Sequence, residues 1–329
     1  MRTMTLSFAN RIAVRLGVVL CVSQVADAQV RQEFSAVHMG VAVRITAYAP
    51  SESVARDAAR AAFARIAELD DKMSDYRAQS EVRMLSERPG DWQPVSPDLL
   101  AVLARAQEVS RRSGGAFDVT VGPMVQLWRA SRKTGRLPDP DALSRVRSRS
   151  GSALLEVDTT RALVRLWVRD MQLDLGGIAK GYILQEGLAV LRAHGVRAAM
   201  IEAGGDVVVG EPPPGQAGWS VYVAGADTAT LQRAKAIVNS AIATSGGSEQ
   251  FVEIDGVRYS HVIDPRTGLG VTGAHLVTVI ADDGALADAL ATALSVLGPS
   301  RSSGLRKKYP QVLISFRPAP TVGKAPAKH

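Results

Sequence analysis

The amino-acid sequence predicts an α+β fold with mixed, largely antiparallel sheets and packed helices. Apolar residues alternate with other residues over positions 41–48, which indicates a half-buried strand. Two apolar runs flank Asp255-Gly256, and an Asp-Gly pair between such runs is a strong signal for a β-hairpin with a type I′ turn. Helical segments lie among these strands without the regular alternation of a βαβ array, which favours α+β over a parallel α/β fold.

Four helices are predicted from apolar residues at helical spacing. The first covers residues 54–69, and the last two cover residues 181–193 and 285–297. The second helix has the clearest boundaries. Ser96 occupies an N-cap position before Pro97, which is favoured at the first helical position, and a glycine pair follows the last turn at Gly114.

Further strands are predicted at residues 154–157, 163–168, 171–175, 251–254 and 257–263. Residues 133–141 contain two prolines and predict a turn-rich connection at an insertion or subdomain edge. Residues 317–329 contain three prolines and are predicted to form a disordered tail. Residues 29–316 would then form one large domain or two closely joined subdomains.

The amino terminus has the features of a secretory signal peptide in the expected order. Three arginines among the first 15 residues precede an apolar run at residues 16–25, and Ala26-Asp27-Ala28 follows. We expect cleavage after Ala28 and export to the periplasm. The apolar run has about ten residues, whereas a bilayer-spanning helix needs roughly 20, so a stable transmembrane segment is not expected.

Cys21 is the only cysteine of the chain and lies inside the predicted signal peptide. Lipid attachment would need a small residue before Cys21, and Leu20 stands there, which disfavours a lipoprotein. Cleavage would leave a mature chain without cysteine, which excludes disulfides and thiolate metal sites. The formal net charge of +7 comes from scattered Lys and Arg residues, and only 5% of residues are aromatic. A nucleic-acid partner is therefore not expected.

Residues 174–182 (DLGGIAKGY) form the first candidate cluster, at the end of a predicted strand and the start of a helix. Backbone amides at a helix start can bind a phosphate. The segment has neither the residue order of a Walker loop nor the spacing of a Rossmann turn. A tight turn without a ligand is the alternative.

Asp288 and Thr292 form the second cluster, because they lie four residues apart on one face of the last predicted helix. Their oxygen atoms suit Mg²⁺, which keeps waters or substrate phosphates in its other positions. The alternative is a solvent-facing Asp288, with Thr292 bonded to its own helix backbone.

Residues 261–268 (HVIDPRTG) form the third cluster, where a strand runs into a turn. His261 suits a general base near neutral pH, or it is a hydrogen-bonded strand residue. The residues alone leave both interpretations open.

These clusters and five further stretches resemble the ApbE family, the FAD:protein FMN transferases, over roughly residues 37–298. The further stretches are HMG at 38–40, MSDY at 73–76 followed by Ser80-Glu81, GAFDVTVGP at 115–123 followed by Leu127-Trp128, AGGD at 203–206 and ATSG at 243–246. The resemblance implies an FAD cleft between two closely joined subdomains.

The resemblance also implies a role for individual residues. FAD contacts are implied for Met39, Tyr76, Ala116, Phe117, Asp118, Asp174, Lys180 and Val262. Mg²⁺ would be held by Asp288, Thr292 and a backbone oxygen of Gly177, and His261 would be the general base. Tyr76 and Phe117 would pack against a planar ring, while Lys180 would supply positive charge. Core packing of Met39 and Phe117 and a surface charge at Lys180 are the alternatives.

The implied reaction is Mg²⁺-dependent transfer of FMN from FAD to a threonine or serine hydroxyl of a target flavoprotein, which forms a phosphoester and releases AMP. The target is expected to be an extracytoplasmic domain of a membrane redox complex. An FAD pyrophosphatase and a non-enzymatic flavin-binding protein are the alternatives. The chain departs from the family pattern at two places. Val41 stands in place of threonine, and Gly247-Ser248 stand in place of Asp or Asn followed by an aromatic residue. These changes affect the flavin contacts and the acceptor docking that the resemblance implies.

Overall fold

The computed structural model of the chain describes residues 29–223, 232–246, 251–272 and 275–318, with the backbone alone at 222–223 and 232–235. The predicted signal peptide at residues 1–28 therefore lies outside the described residues, as do Gly247-Ser248. Within the described residues, no helix has both the length and the apolar character needed to cross a bilayer.

Eight helices and sixteen strands are found among the described residues. The helices are α1 (Glu52–Met73), α2 (Glu81–Met84), α3 (Pro97–Ser113), α4 (Gly122–Thr134), α5 (Pro140–Arg147), α6 (Ala179–Ala193), α7 (Gly284–Arg301) and α8 (Ser303–Lys307). The strands are β1 (Val30–His38), β2 (Val41–Ala49), β3 (Gln93–Pro94), β4 (Leu155–Asp158), β5 (Leu163–Leu166), β6 (Ala198–Ala203), β7 (Asp206–Val209), β8 (Trp219–Val223), β9 (Gln232–Ile237), β10 (Ser240–Gly246), β11 (Phe251–Ile254), β12 (Val257–Ser260), β13 (Ile263–Asp264), β14 (Leu269–Gly270), β15 (His275–Ala281) and β16 (Leu313–Pro318).

The main sheet has seven strands in the order β1-β2-β6-β7-β10-β15-β16. All of its neighbouring strands are antiparallel. Helices α1, α6 and α7 pack together beside this sheet. The predicted α+β class with largely antiparallel sheets is confirmed.

Three hairpins are closed by two-residue turns in which both residues have positive φ, as a type I′ turn requires. They are Asp255-Gly256 (φ 51° and 74°), Gly204-Gly205 (54° and 90°) and Met39-Gly40 (52° and 71°). The hairpin predicted at Asp255-Gly256 is thus confirmed. The third turn is unusual, because an unbranched but bulky residue such as Met39 seldom adopts positive φ.

The main sheet is covered on both faces over part of its area. The large core lies between one face and the helices, and it contains Val43, Ile45 and Ala47 of β2. A second core lies on the opposite face around Val209 and Trp219, because successive side chains of a strand point to opposite faces. Thr46 is buried and Tyr48 packs against Trp219, so β2 is covered on both faces near its end and is more buried than predicted.

Several predicted boundaries are wrong. The strand predicted at residues 163–168 ends at Leu166, and the one predicted at residues 257–263 is divided into β12 and β13. Residues 171–175 alternate in burial but form no strand, because the backbone N–H of Asp174 donates to the carbonyl of Val119 in a short 3-10 turn. The predicted tail begins too early, since Arg317 and Pro318 pair with Leu276 and His275 along the outer edge of β15. Residues 319–329 lie outside the described part of the chain.

Candidate active site

A cleft of about 550 Å³ lies where the β1–β2 turn, the end of α1 and the start of α6 meet. Three of the implied FAD contacts, Met39, Tyr76 and Lys180, line the cleft. The remaining lining residues are Gly40, Val41, Asp70, Met73, Ser74, Arg77, Leu175, Gly176, Ala179 and Ile183. The other five implied FAD contacts are in the described part of the chain but are not part of this lining.

Asp70 holds the strained turn at the edge of the cleft. The backbone N–H of Met39 donates to Asp70 Oδ2 over 2.9 Å. The bond fixes Met39 in its left-handed conformation and places it against the cleft. Asp70 was not among the predicted site residues; the available signal was its position three residues before Met73 on the same helix.

The conformation of the glycine-rich turn at residues 174–178 is set by the side chain of Asp174 and by close packing against α7. Asp174 Oδ1 accepts the N–H of Gly176 at 2.8 Å. A Cβ atom on Gly177 would lie 2.9 Å from Thr292 Oγ1 and 3.3 Å from Phe117 Cε2. Only glycine therefore fits at position 177 without displacement, and the turn meets the last long helix as the resemblance implies.

Asp288 is buried where α6 and α7 cross. Its Oδ2 accepts the backbone N–H of Gly181 at 3.2 Å, and its residue is 5% exposed. The alternative of a solvent-facing Asp288 is therefore wrong. Burial and the nearby Asp206 carboxylate raise the pKa of Asp288 to about 7, while Lys180 and the Gly181 N–H oppose the rise.

Lys180 forms an ion pair with Asp206, a residue that was not among the predicted site residues. Asp206 is almost fully buried, and its Oδ1 also accepts the backbone N–H of Thr244 at 3.1 Å. Burial raises the pKa of Asp206, and the Lys180 ammonium opposes this rise. Asp206 of the AGGD stretch is thus bonded both to Lys180 and to Thr244 of the ATSG stretch. Because this buried carboxylate holds its ammonium group, Lys180 is more than a surface charge.

His261 is exposed and follows β12. Its backbone position is set by neighbours, since Trp128 Nε1 donates to the carbonyl of Ser260 over 3.0 Å and the Val262 N–H donates to Ser260 Oγ over 3.0 Å. Val262 packs against the main core. Trp128, itself buried, is thus an anchor for the segment that carries His261.

The next three implied FAD contacts, Ala116, Phe117 and Asp118, make core-packing or helix-capping contacts in this structure. Ala116 and Phe117 are buried in the main core. Asp118 caps the 3-10 turn at Val119–Val121, where its Oδ1 accepts the N–H and the hydroxyl of Thr120 at 2.8 and 2.7 Å. Burial raises the pKa of Asp118, and the bonds from Thr120 oppose the rise. The structure thus gives Asp118 a capping role and places Phe117 beside Gly177.

Asp288, Thr292 and the carbonyl of Gly177 fit the ligand preferences of Mg²⁺. They offer a carboxylate, a hydroxyl and a backbone oxygen, all hard donors. The closeness of Thr292 Oγ1 to Gly177 and the burial of Asp288 one helical turn from Thr292 bring these donors to one region. No group of three or more His, Cys, Asp or Glu residues suited to a metal ion occurs in the described ranges, and this donor set does not require one.

A profile of the ApbE family matches residues 39–314. The chain belongs to the ApbE family. An FAD:protein FMN transferase of Treponema pallidum (strain Nichols) is 32% identical over 325 residues, which cover 91% of this chain and 89% of that protein. A protein of the same name from Vibrio cholerae is 31% identical over 71% of each chain. This ApbE-family chain is thus a transferase.

Solved ApbE structures share the fold. The apo flavinyl transferase ApbE of Pseudomonas stutzeri superposes with a TM-score of 0.77 at 26% identity, covering 89% of this chain and 92% of its own. The flavin transferase ApbE of Vibrio cholerae gives a TM-score of 0.75 at 27% identity, covering 88% of this chain and 93% of its own. The likeness extends over nearly all of the described chain.

Proposed function

We propose that this ApbE-family transferase moves FMN from FAD to a threonine or serine hydroxyl of a target flavoprotein, with Mg²⁺ as cofactor and AMP as the second product. The observation that carries the proposal is that Gly177 packs against Thr292, which lies one helical turn from the buried Asp288 on α7. Lys180 is in the first turn of α6, which is hydrogen-bonded to Asp288 through Gly181. The names of the curated relatives support FAD as the donor and a protein as the acceptor.

FAD is proposed to bind in the cleft lined by Met39, Tyr76 and Lys180. The cleft volume of about 550 Å³ lies within the range typical of small-molecule sites. Met39 offers apolar surface and Tyr76 offers an aromatic face, both suited to a planar ring. Lys180 offers a cation, oriented by Asp206, to the pyrophosphate.

The residues that would hold Mg²⁺ are Asp288, Thr292 and Gly177 through its carbonyl. When bound, Mg²⁺ offsets the negative charge of the pyrophosphate and orients it. Asp288 is held in place by the Gly181 N–H, so its carboxylate is positioned by the packing of α6 on α7. Lys180 adds positive charge for the phosphate that AMP carries away.

In the proposed step, the acceptor hydroxyl oxygen forms a bond to the FMN phosphorus while the pyrophosphate P–O bond breaks. AMP leaves with the electron pair of that bond, and His261 takes the hydroxyl proton. The exposure of His261 supports this role, since a side chain of another protein has to reach it. No covalent enzyme intermediate is needed.

A direct assay tests the function. The purified chain is incubated with FAD, Mg²⁺ and a candidate acceptor domain, and AMP and the acceptor mass are followed with and without chelator. We expect AMP and a flavinylated acceptor, both lost with chelator. AMP without flavinylation would indicate an FAD pyrophosphatase instead, and flavin binding without AMP would indicate a binding protein.

Export completes the proposal. The charged start, short apolar run and Ala-Asp-Ala triplet support cleavage after Ala28, and the acceptor is proposed to be an extracytoplasmic domain of a membrane redox complex. Amino-terminal sequencing of the protein from the envelope fraction should give Gln29-Val30-Arg31. Retention of Met1 in a cytoplasmic fraction would contradict this.

A further inference from the structure

Arg129 of α4 contacts Tyr76, which lines the cleft, and two carboxylates that each precede a lining residue, Asp75 and Asp174. Its guanidinium carbon is 4.6 Å from the ring centroid of Tyr76. Its Nη1 donates to Asp75 Oδ2 over 2.9 Å, and its Nη2 lies 3.5 Å from Asp174 Oδ2. One side chain therefore connects the turn after α1 with the turn before α6.

Tyr76 needs such support. Its residue is 78% exposed, and it lies beyond the end of α1 at Met73. Tyr76 lines the cleft, and the guanidinium of Arg129 lies over one face of its ring. The side chain that would stack on FAD is thus held on one face by a cation.

Arginine is suited to this position in a way that lysine is not. Its planar guanidinium can lie over an aromatic ring while its N–H groups bind carboxylates. Burial and, after it, the Asp75 carboxylate raise the pKa of Asp174, whereas the Gly176 N–H and Arg129 oppose the rise. Asp75 and Asp174 therefore repel each other and share the Arg129 cation. Asp174 in turn shapes the glycine turn through Gly176.

We propose that Arg129 is a positioning residue for FAD, which presents the free face of Tyr76 to a planar ring of the bound dinucleotide. The proposal rests on FAD binding in this cleft. Arg129 comes directly after Leu127-Trp128 in the sequence but is outside the set of FAD contacts that the family resemblance implies.

A double-mutant cycle on FAD affinity tests the proposal. FAD binding is measured from flavin fluorescence for the unaltered chain, Arg129→Met, Tyr76→Ala and the double variant. We expect Arg129→Met to weaken binding about fivefold to tenfold, in line with the contact of a guanidinium with an aromatic ring together with its ion pairs. In the Tyr76→Ala background, the same change should weaken binding less than about twofold, because contacting residues couple.

Kinetics separate positioning from general damage. Arg129→Met should raise KM for FAD while kcat at saturating FAD stays within about twofold, since the loss falls on substrate binding. Arg129→Lys should recover only part of the affinity, because the ammonium lacks the planar fork. Arg132→Met, on the same helix, is the matched control and should leave KM unchanged. All variants should keep the melting temperature of the unaltered chain; if Arg129→Met does not fold, Arg129→Lys takes its place in the cycle.

The outcomes are distinct. If Tyr76→Ala weakens FAD binding but Arg129→Met does not, the positioning role of Arg129 is wrong and the proposed cleft stands. If the two changes are additive, Arg129 acts independently of Tyr76 and the inference is also wrong. If Tyr76→Ala itself leaves FAD binding unchanged, the proposed location of FAD fails.

Discussion

The backbone N–H of Gly181 donates to Asp288 Oδ2 over 3.2 Å, which ties the first turn of α6 to α7. The helices cross so closely that a Cβ on Gly181 would lie 2.0 Å from the carbonyl oxygen of Gly284. Asp288 is therefore placed by backbone packing. A site held by rigid elements in this way is organised before a ligand arrives.

Replacing Asp288 by Asn should abolish turnover while FAD binding stays within about threefold. Asparagine keeps an acceptor for Gly181 but removes the charge proposed to hold Mg²⁺, and a loss of several kcal/mol at the reacting phosphate corresponds to about a hundredfold or more in rate. Asp282→Asn, at an exposed position before the same helix, is the control. Single-turnover AMP release and FAD titration check both effects; an Asp288→Asn enzyme with normal turnover would exclude the assigned metal site.

His261→Ala should slow FMN transfer by about a hundredfold to ten-thousandfold, the usual contribution of a general base. The rate of the unaltered enzyme should rise with pH over the range in which histidine side chains titrate, about 5 to 8, because only the neutral imidazole accepts a proton. The variant should lose this rise. The measurement is single-turnover flavinylation from pH 5 to 9 at saturating FAD and Mg²⁺.

The control for this experiment is His194→Ala, which removes an exposed histidine at the end of α6. It should retain both the rate and the pH profile. A His261→Ala enzyme within threefold of the normal rate would assign His261 a structural role only.

Gly177→Ala should weaken Mg²⁺ activation by roughly tenfold to a hundredfold, as changes next to metal ligands do. The added Cβ would lie 2.9 Å from Thr292 Oγ1, so the turn or α7 has to shift. A Mg²⁺ titration of activity measures the effect. Gly304→Ala is the matched control, because a Cβ there meets nothing within 4 Å; equal Mg²⁺ dependence of the two variants would contradict the role of the turn.

Asp98→Asn should lower the free energy of unfolding at neutral pH by about 2 kcal/mol, the order expected for hydrogen bonds to a charged group. Burial tends to raise the pKa of Asp98, but hydrogen bonds from Arg65, Tyr182 and Lys72 outweigh it and lower the pKa. These bonds join α3 to α1 and α6.

The sign of the pH dependence follows from that lowered pKa. An Asp whose folded pKa lies below its unfolded value of about 3.9 stabilises the fold above that value, and the stabilisation is lost as pH falls through the folded pKa. Denaturant unfolding at pH 7 and pH 3 should therefore show a large difference between the unaltered chain and Asp98→Asn at pH 7 and a smaller one at pH 3. An equal difference at both values would refute the assignment.

The ends of several helices could be predicted from the sequence alone, because they depend on the chemistry of a few adjacent residues. Helix α3 begins after Ser96 and ends at Gly114 as predicted, because a side-chain cap and a left-handed glycine are properties of a few adjacent residues. The regular part of α7 ends at Leu297 for the same reason, since Gly298 has φ 67° and Pro299 follows. The resemblance carried by short motifs identified the family correctly.

Only the tertiary structure decided which of these residues meet. Asp206 lies 26 positions after Lys180, Arg129 lies more than 50 positions after Tyr76, and neither pair has a periodic pattern that links its members. The burial of Asp288 was also undetermined, because an Asp and a Thr four residues apart look the same on a solvent face as on a packed one. Long-range contacts depend on how the seven-stranded sheet and helices α1, α4, α6 and α7 pack, and a single sequence records the residues but not that packing.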